Sequence, residues 1–109
     1  MRAEESPTPN TQHPRPTVTE VEAALEEIRP AVALEGGEIE LVSVEGNVAC
    51  VRVRMPGAEA ESRAMRLLSG IQRSVRAEVP GIRAVVNQDL RDAGYSLEQL
   101  AAQMERGDT

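Results

Sequence analysis

A chain of 109 residues has room for one domain, and Tyr95 is its single aromatic residue, so Val, Ile, Leu, Ala and Met must build a small aliphatic core. The formal net charge of −6, with every basic residue an arginine interspersed among glutamates, argues against a general nucleic-acid binder, and no aromatic platform is present to stack bases. Apolar runs of only a few residues argue against a membrane span or signal-peptide core, and the lone Cys50 excludes an internal disulfide framework; a cytoplasmic protein is expected.

The first sixteen residues, "MRAEESPTPNTQHPRP", hold four of the seven prolines and hardly any large apolar side chain. They have too little to bury to offset their ordering entropy, so a disordered tail over residues 1–16 is expected. His13 in that tail is expected to be solvated, because a metal site needs converging partners. Order is expected from "TVTEVEAALEEIRPAVALEGG", where Thr19 with Glu22, or Thr17 with Glu20 just before it, offers a capping box. Val21, Ala24, Leu25, Ile28 and Val32 fall on one helical stripe, with Glu22, Glu26, Glu27 and Arg29 off it. Pro30 removes an amide donor, so the helix is expected to bend or end near Arg29 with a ragged last turn to Leu34. Gly36-Gly37 then frees the backbone for the turn into a strand.

"GEIELVSVEGNVACVRVRMPG" reads as a hairpin turning at Glu45-Gly46-Asn47. Ile39 and Leu41 alternate with Glu38 and Glu40, while Ala49, Val51, Val53 and Met55 alternate with Cys50, Arg52 and Arg54. The change of parity at Val42 and Val44 predicts a bulge or a partly covered second face. Cys50 shares its side of the strand with Arg52 and Arg54, whose charges favour a thiolate. Lacking a base or a resolving partner, it is expected to be an inert, partly exposed thiol.

"AEAESRAMRLLSGIQRSVRAEVPG" is a second helix with Ala60, Ala64, Leu67, Leu68, Ile71, Val75 and Val79 on its apolar stripe, stopped by Pro80-Gly81. Arg63, Arg66, Arg73 and Arg76 are expected to face outward, either as a solvated face paired with Glu59, Glu61 and Glu78 or as a partner-binding row. "GIRAVVNQ" is a third short strand. "SLEQLAAQM" is a last amphipathic helix with Ser96 as cap, Gln99 at the third position, and Leu97, Leu100, Ala101 and Met104 on one side; it docks on the domain or binds something else.

These elements predict an α+β fold in which two helices cover one face of a small three-stranded sheet, in the order α-β-β-α-β, with a short helix at the C-terminus. The chain divides into the tail, a domain over residues 17–88 and an extension over residues 89–109. Catalysis by a serine nucleophile is not supported, since Ser62, Ser69 and Ser74 have no base and the single histidine is in the tail. Glu59 and Glu61 are expected to be solvated acids rather than an acid–base pair. Gly36-Gly37 lacks the residues of a phosphate loop, and one Cys with one His cannot supply a soft-metal site.

Several strings together resemble a known family: "EEIRPAVALEGGEIELVSVEGNVACVRV", then Gly57-Ala58, then "LLSGIQRSVRAEVPGIRAVV". From about Val18 to Val86 the chain resembles the C-terminal domain of NifU, the Nfu-type domain of iron–sulfur cluster biogenesis. In that family the turn after the second strand carries Gly-Ala-Cys-x-x-Cys, and thiolates from two chains hold a cluster between them. Laid onto this sequence, Gly57 and Ala58 match, but the cysteine positions fall on Glu59 and Ser62. The stretch down to Gly70-Ile71 is also about two residues shorter than the family pattern. The resemblance therefore implies a cluster cofactor for the family but no cluster, metal or catalytic residue here.

The resulting expectation is a non-enzymatic, NifU-like accessory protein of iron–sulfur or metallocentre maturation that binds partners without carrying a cluster itself. Its partners are expected to be assembly components or apo client proteins, with no nucleic acid or membrane among them, and a homodimer is allowed. The alternative is an interaction module recruited to an unrelated complex through the tail and the last helix.

Overall fold

The first helix begins where a capping box closes: Thr17 Oγ1 accepts the Glu20 amide at 3.1 Å, and Glu20 Oε1 accepts the Thr17 amide at 3.0 Å. The earlier of the two sequence candidates thus sets the start of α1 (Val18–Leu34). The structure, a computed structural model, describes residues 15–107. The tail up to residue 14, with His13, lies outside the described residues.

After α1 come β1 (Glu38–Glu45), β2 (Val48–Arg54), α2 (Ala60–Glu78), β3 (Ala84–Asn87), α3 (Gln88–Asp92) and α4 (Leu97–Gly107). The strands form one sheet in the order β1-β2-β3, with β1 and β2 antiparallel and β2 and β3 parallel. The register steps from Leu41↔Val51 to Ser43↔Cys50, so Val42 is the extra residue of the bulge that the parity change predicts.

Three layers result. On one face, Val21, Leu25 and Val32 of α1 and Leu68, Ile71 and Val75 of α2 pack over Ile39, Val51, Val53 and Val85. Each fully buried leucine here contributes about 2 kcal/mol of transfer free energy. On the opposite face, Leu100 and Ala101 of α4 close over Val48, Cys50, Ala84 and Val86. The Ser96 cap forms as predicted, Ser96 Oγ accepting the Gln99 amide and Gln99 Oε1 accepting the Ser96 amide, each at 3.1 Å. The last helix therefore docks.

Of the two outcomes expected at Pro30, the helix does not end there: α1 runs through it to the expected last turn at Leu34. Its ring is exposed, and beyond it Val32 is buried in the core. The Val32 carbonyl also takes the amides of Glu35 and Gly37, and that of Ala33 takes Gly36. Burial and these bonds offset the one helical hydrogen bond that proline cannot donate. The five-residue α3 was not foreseen; Asn87 caps it, accepting the Asp89 amide at 2.9 Å.

Candidate functional site

β2 ends at Arg54, and the chain reaches α2 through residues 55–59, which must turn sharply. Gly57 takes φ +84° and Glu59 φ +60°. Glycine occupies that region freely, whereas a glutamate there is strained by about 1–3 kcal/mol. Glu59 is the N-cap of α2: its carbonyl accepts the Arg63 amide at 3.0 Å, but its side chain caps nothing. On the inner side of the turn, Met55 packs against the core and across Gly37. A Cβ on Gly37 would strike the Met55 sulfur and come within 3.0 Å of the Arg54 carbonyl.

Arg63 holds this turn to the rest of the fold. Its Nη1 donates to the Pro56 carbonyl at 2.6 Å, and its Nη2 to the Glu35 carbonyl at 3.5 Å. Sequence periodicity placed Arg63 facing outward. Instead it folds back, because the turn and the end of α1 offer carbonyls outside any helical ladder. Ser62, exposed in the first turn of α2, borders a shallow groove of about 780 Å³ shared with Met65 and Arg66 of α2 and Gln103 and Met104 of α4. Nearby, the carboxyl ends of β2 and β3 open onto a second cleft of about 750 Å³, walled by Met55, Ala60, Ala64, Met65, Leu90 and Ala93.

The turn thus brings Glu59 and Ser62 together at one end of the domain, where the resemblance places two sulfur ligands. Cys50 is not brought there. It is buried, not partly exposed as expected, because α4 covers its face of the sheet. It also sits five residues before Met55, about 17 Å along an extended strand. Arg91 Nη1 donates to Cys50 Sγ at 3.5 Å and also pairs with Glu45. Arg91 is held further toward its charged form by Glu45 first and by Cys50 second. Arg52, on the same side of β2, is engaged by Asp89 at 3.1 Å and Asp92 at 2.7 Å, which fastens α3 to the sheet.

A carboxylate and a hydroxyl are hard oxygen donors, whereas the iron of a cluster is held by thiolates. Glu59 and Ser62 therefore do not fit the group that the resemblance implies for this loop. Among the described residues, no three His, Cys, Asp or Glu side chains converge as metal ligands. The Gly57 and Ala58 turn and the start of α2 were legible in the sequence. The left-handed Glu59 and the Arg63 anchor were not, since neither has a local residue pattern that signals it.

Comparison with known proteins places these features in context. The family model of the NifU-like domain matches residues 21–86. The chain is 33% identical over 101 residues to NifU-like protein 2, chloroplastic, of Arabidopsis thaliana, an alignment covering 91% of this chain and 42% of that protein. It is 29% identical over 85 residues to NifU-like protein 1, chloroplastic, of Oryza sativa subsp. japonica, covering 76% of this chain and 37% of that one. The chain spans about two-fifths of the length of these relatives.

Proposed function

This chain belongs to the NifU-like domain family, and from that premise we propose that it takes part in iron–sulfur cluster assembly as an accessory protein, binding partner proteins without carrying a cluster itself. The observation that carries this reading is the chemistry of the β2–α2 turn. The backbone keeps the turn glycine and the helix start, while the two positions where the resemblance places cysteines, Glu59 and Ser62, carry oxygen rather than sulfur. The one sulfur of Cys50 is buried on the far side of the sheet. Iron–sulfur clusters bond to charged sulfur donors, so the retained scaffold serves contacts between proteins. On this reading the partners are assembly components or the apo-proteins they serve, and the clefts flanking Met65 offer recesses for them.

Affinity capture with the full chain as bait, followed by mass spectrometry of the retained proteins, tests the role. Iron–sulfur assembly components or apo iron–sulfur proteins are the expected catch. A reproducible set of partners with no connection to iron–sulfur proteins would replace this reading with that of an interaction module in another complex.

A further inference from the structure

We propose that the open edge of β1 is a docking strand for an extended segment of another protein with the pattern basic–apolar–basic, which joins the sheet as a fourth strand. This surface borders the β2–α2 turn, where Met55 packs across Gly37, but the strand pairing proposed uses the outer edge of β1 and none of the turn's side chains.

The two edges of the sheet are treated differently. At β3, Gln72 Oε1 takes the Val85 amide at 2.9 Å, and α4 packs alongside. β1 is the other edge. Its main-chain directions follow from the hairpin. The two-residue turn at Gly46 and Asn47 makes Glu45 and Val48 a pair that exchanges both hydrogen bonds. Alternation along β2 then directs Cys50, Arg52 and Arg54 toward β1. Ile39, opposite Val53, and Leu41, opposite Val51, must therefore turn their N–H and C=O groups outward. A bond from Arg29 Nη2 to the Ile39 carbonyl at 3.3 Å agrees with that direction; it takes one lone pair of that oxygen and leaves the other for an added strand. Such outward groups are a ready template for another strand.

Side chains beside the edge define what fits. Under α1, a groove of about 310 Å³ runs along the start of β1, lined by Val32, Ala33, Gly37 and Ile39, with Arg29 and Glu38 also on its wall. A residue of the added strand lying opposite Ile39 shares its face of the sheet, so its side chain enters this groove and should be apolar. The residues before and after it point to the other face, beside Glu38 and Glu40, which are both exposed. Glu38 stands opposite Arg54 and Glu40 opposite Arg52 on β2, but Arg52 is taken by Asp89 and Asp92. Neither glutamate closes an ion pair among the described residues, whereas Glu22 and Glu26 are both taken by Arg29. Those flanking residues should therefore be basic.

The same charges decide against a second copy of this chain. Pairing β1 with β1 would set one row of glutamates against another, and like charges directly opposite are destabilising. The bulge at Val42 interrupts the template after Leu41, which limits the docked segment to about three to five residues.

The probe is a blocked, dye-labelled peptide, Gly-Ser-Lys-Leu-Lys-Ser-Gly, titrated into the full chain by fluorescence anisotropy and by amide-resolved NMR. Expected are shifts concentrated at Ile39, Glu40 and Leu41. Methylating the three central amide nitrogens keeps the peptide's charge but removes its ladder donors, and should weaken binding at least tenfold. The double substitution Glu38→Lys and Glu40→Lys should do the same in a chain whose amide spectrum otherwise keeps the native pattern. The proposal is overturned if the peptide leaves these amides unshifted at millimolar concentration, if the methylated peptide binds equally well, or if the shifts map to the α1 surface. Sedimentation showing a dimer that protects the Ile39 and Leu41 amides would also overturn it, in favour of a second copy as the occupant.

Discussion

The side-chain oxygen of Gln72 stands 2.9 Å from the amide nitrogen of Val85, while its Nε2 donates to the Met104 carbonyl at 3.0 Å. One wholly buried amide thus joins α2, β3 and α4. It satisfies an N–H that faces away from β2 and a carbonyl in the last turn of α4, where helical acceptors run out of partners. Gln72→Leu keeps the volume but leaves both groups unpaired, so it should cost about 2–4 kcal/mol in urea denaturation. A loss below about 0.5 kcal/mol would mean that neither group depends on Gln72.

Gly37 and Met55 should behave as a coupled pair. The Cβ of Gly37→Ala meets the Met55 sulfur and the Arg54 carbonyl, an overpacking expected to cost about 1–3 kcal/mol. Met55→Ala removes one of these obstacles. The double variant should therefore be at least about 0.5 kcal/mol more stable than the sum of the single losses implies. Strict additivity would show that the contact is not the reason for glycine at position 37.

At Glu59 the strain of a left-handed backbone can be released. Glu59→Gly should raise stability by about 1 kcal/mol after the entropic cost of glycine, or roughly 4–8 °C in Tm for a domain of this size. Glu59→Ala retains the Cβ and should give no such gain. Equal effects of the two substitutions would place the cause in the side chain and not in the backbone.

Acid should loosen the outer layer first. Arg83 hydrogen bonds hold the Glu98 carboxyl below its ordinary 4.5. Glu45 is held below 4.5 by Arg91 and then by Ser43, and Asp92 below 3.8 by Gln88 and then by Arg52. Because these values are lowered in the folded state, the unfolded chain binds protons first as pH falls. The stabilisation is complete above the ordinary values and is lost as pH drops through the lowered ones. Each pair is at the surface, so each increment is small. Urea midpoints should stay level from pH 7 to about 5.5 and fall below about 4.5, less steeply in Glu98→Gln. A decline beginning above about pH 6 would point to other groups.

Local signals carried much of this fold. Thr17 with Glu20 and Ser96 with Gln99 marked two helix starts because their capping bonds lie within one turn. The parity change at Val42 marked the bulge because side-chain alternation is a local property. Long-range packing was hidden. Nothing near Cys50 in sequence reveals that Leu100 and Ala101 will cover it. The turn at residues 57–62 was legible in its chemistry through resemblance, while its geometry depends on Arg63 reaching Pro56 and Glu35.

The central claim is that this domain keeps a NifU-like scaffold without a cluster of its own, and iron content after anaerobic reconstitution tests it most directly. The purified full chain is incubated with ferrous iron and sulfide and desalted, then assayed for bound iron, acid-labile sulfide and visible absorbance. Iron and sulfide are expected at background and the protein colourless, unchanged by Cys50→Ala. A stable brown species with stoichiometric iron and sulfide would contradict that claim.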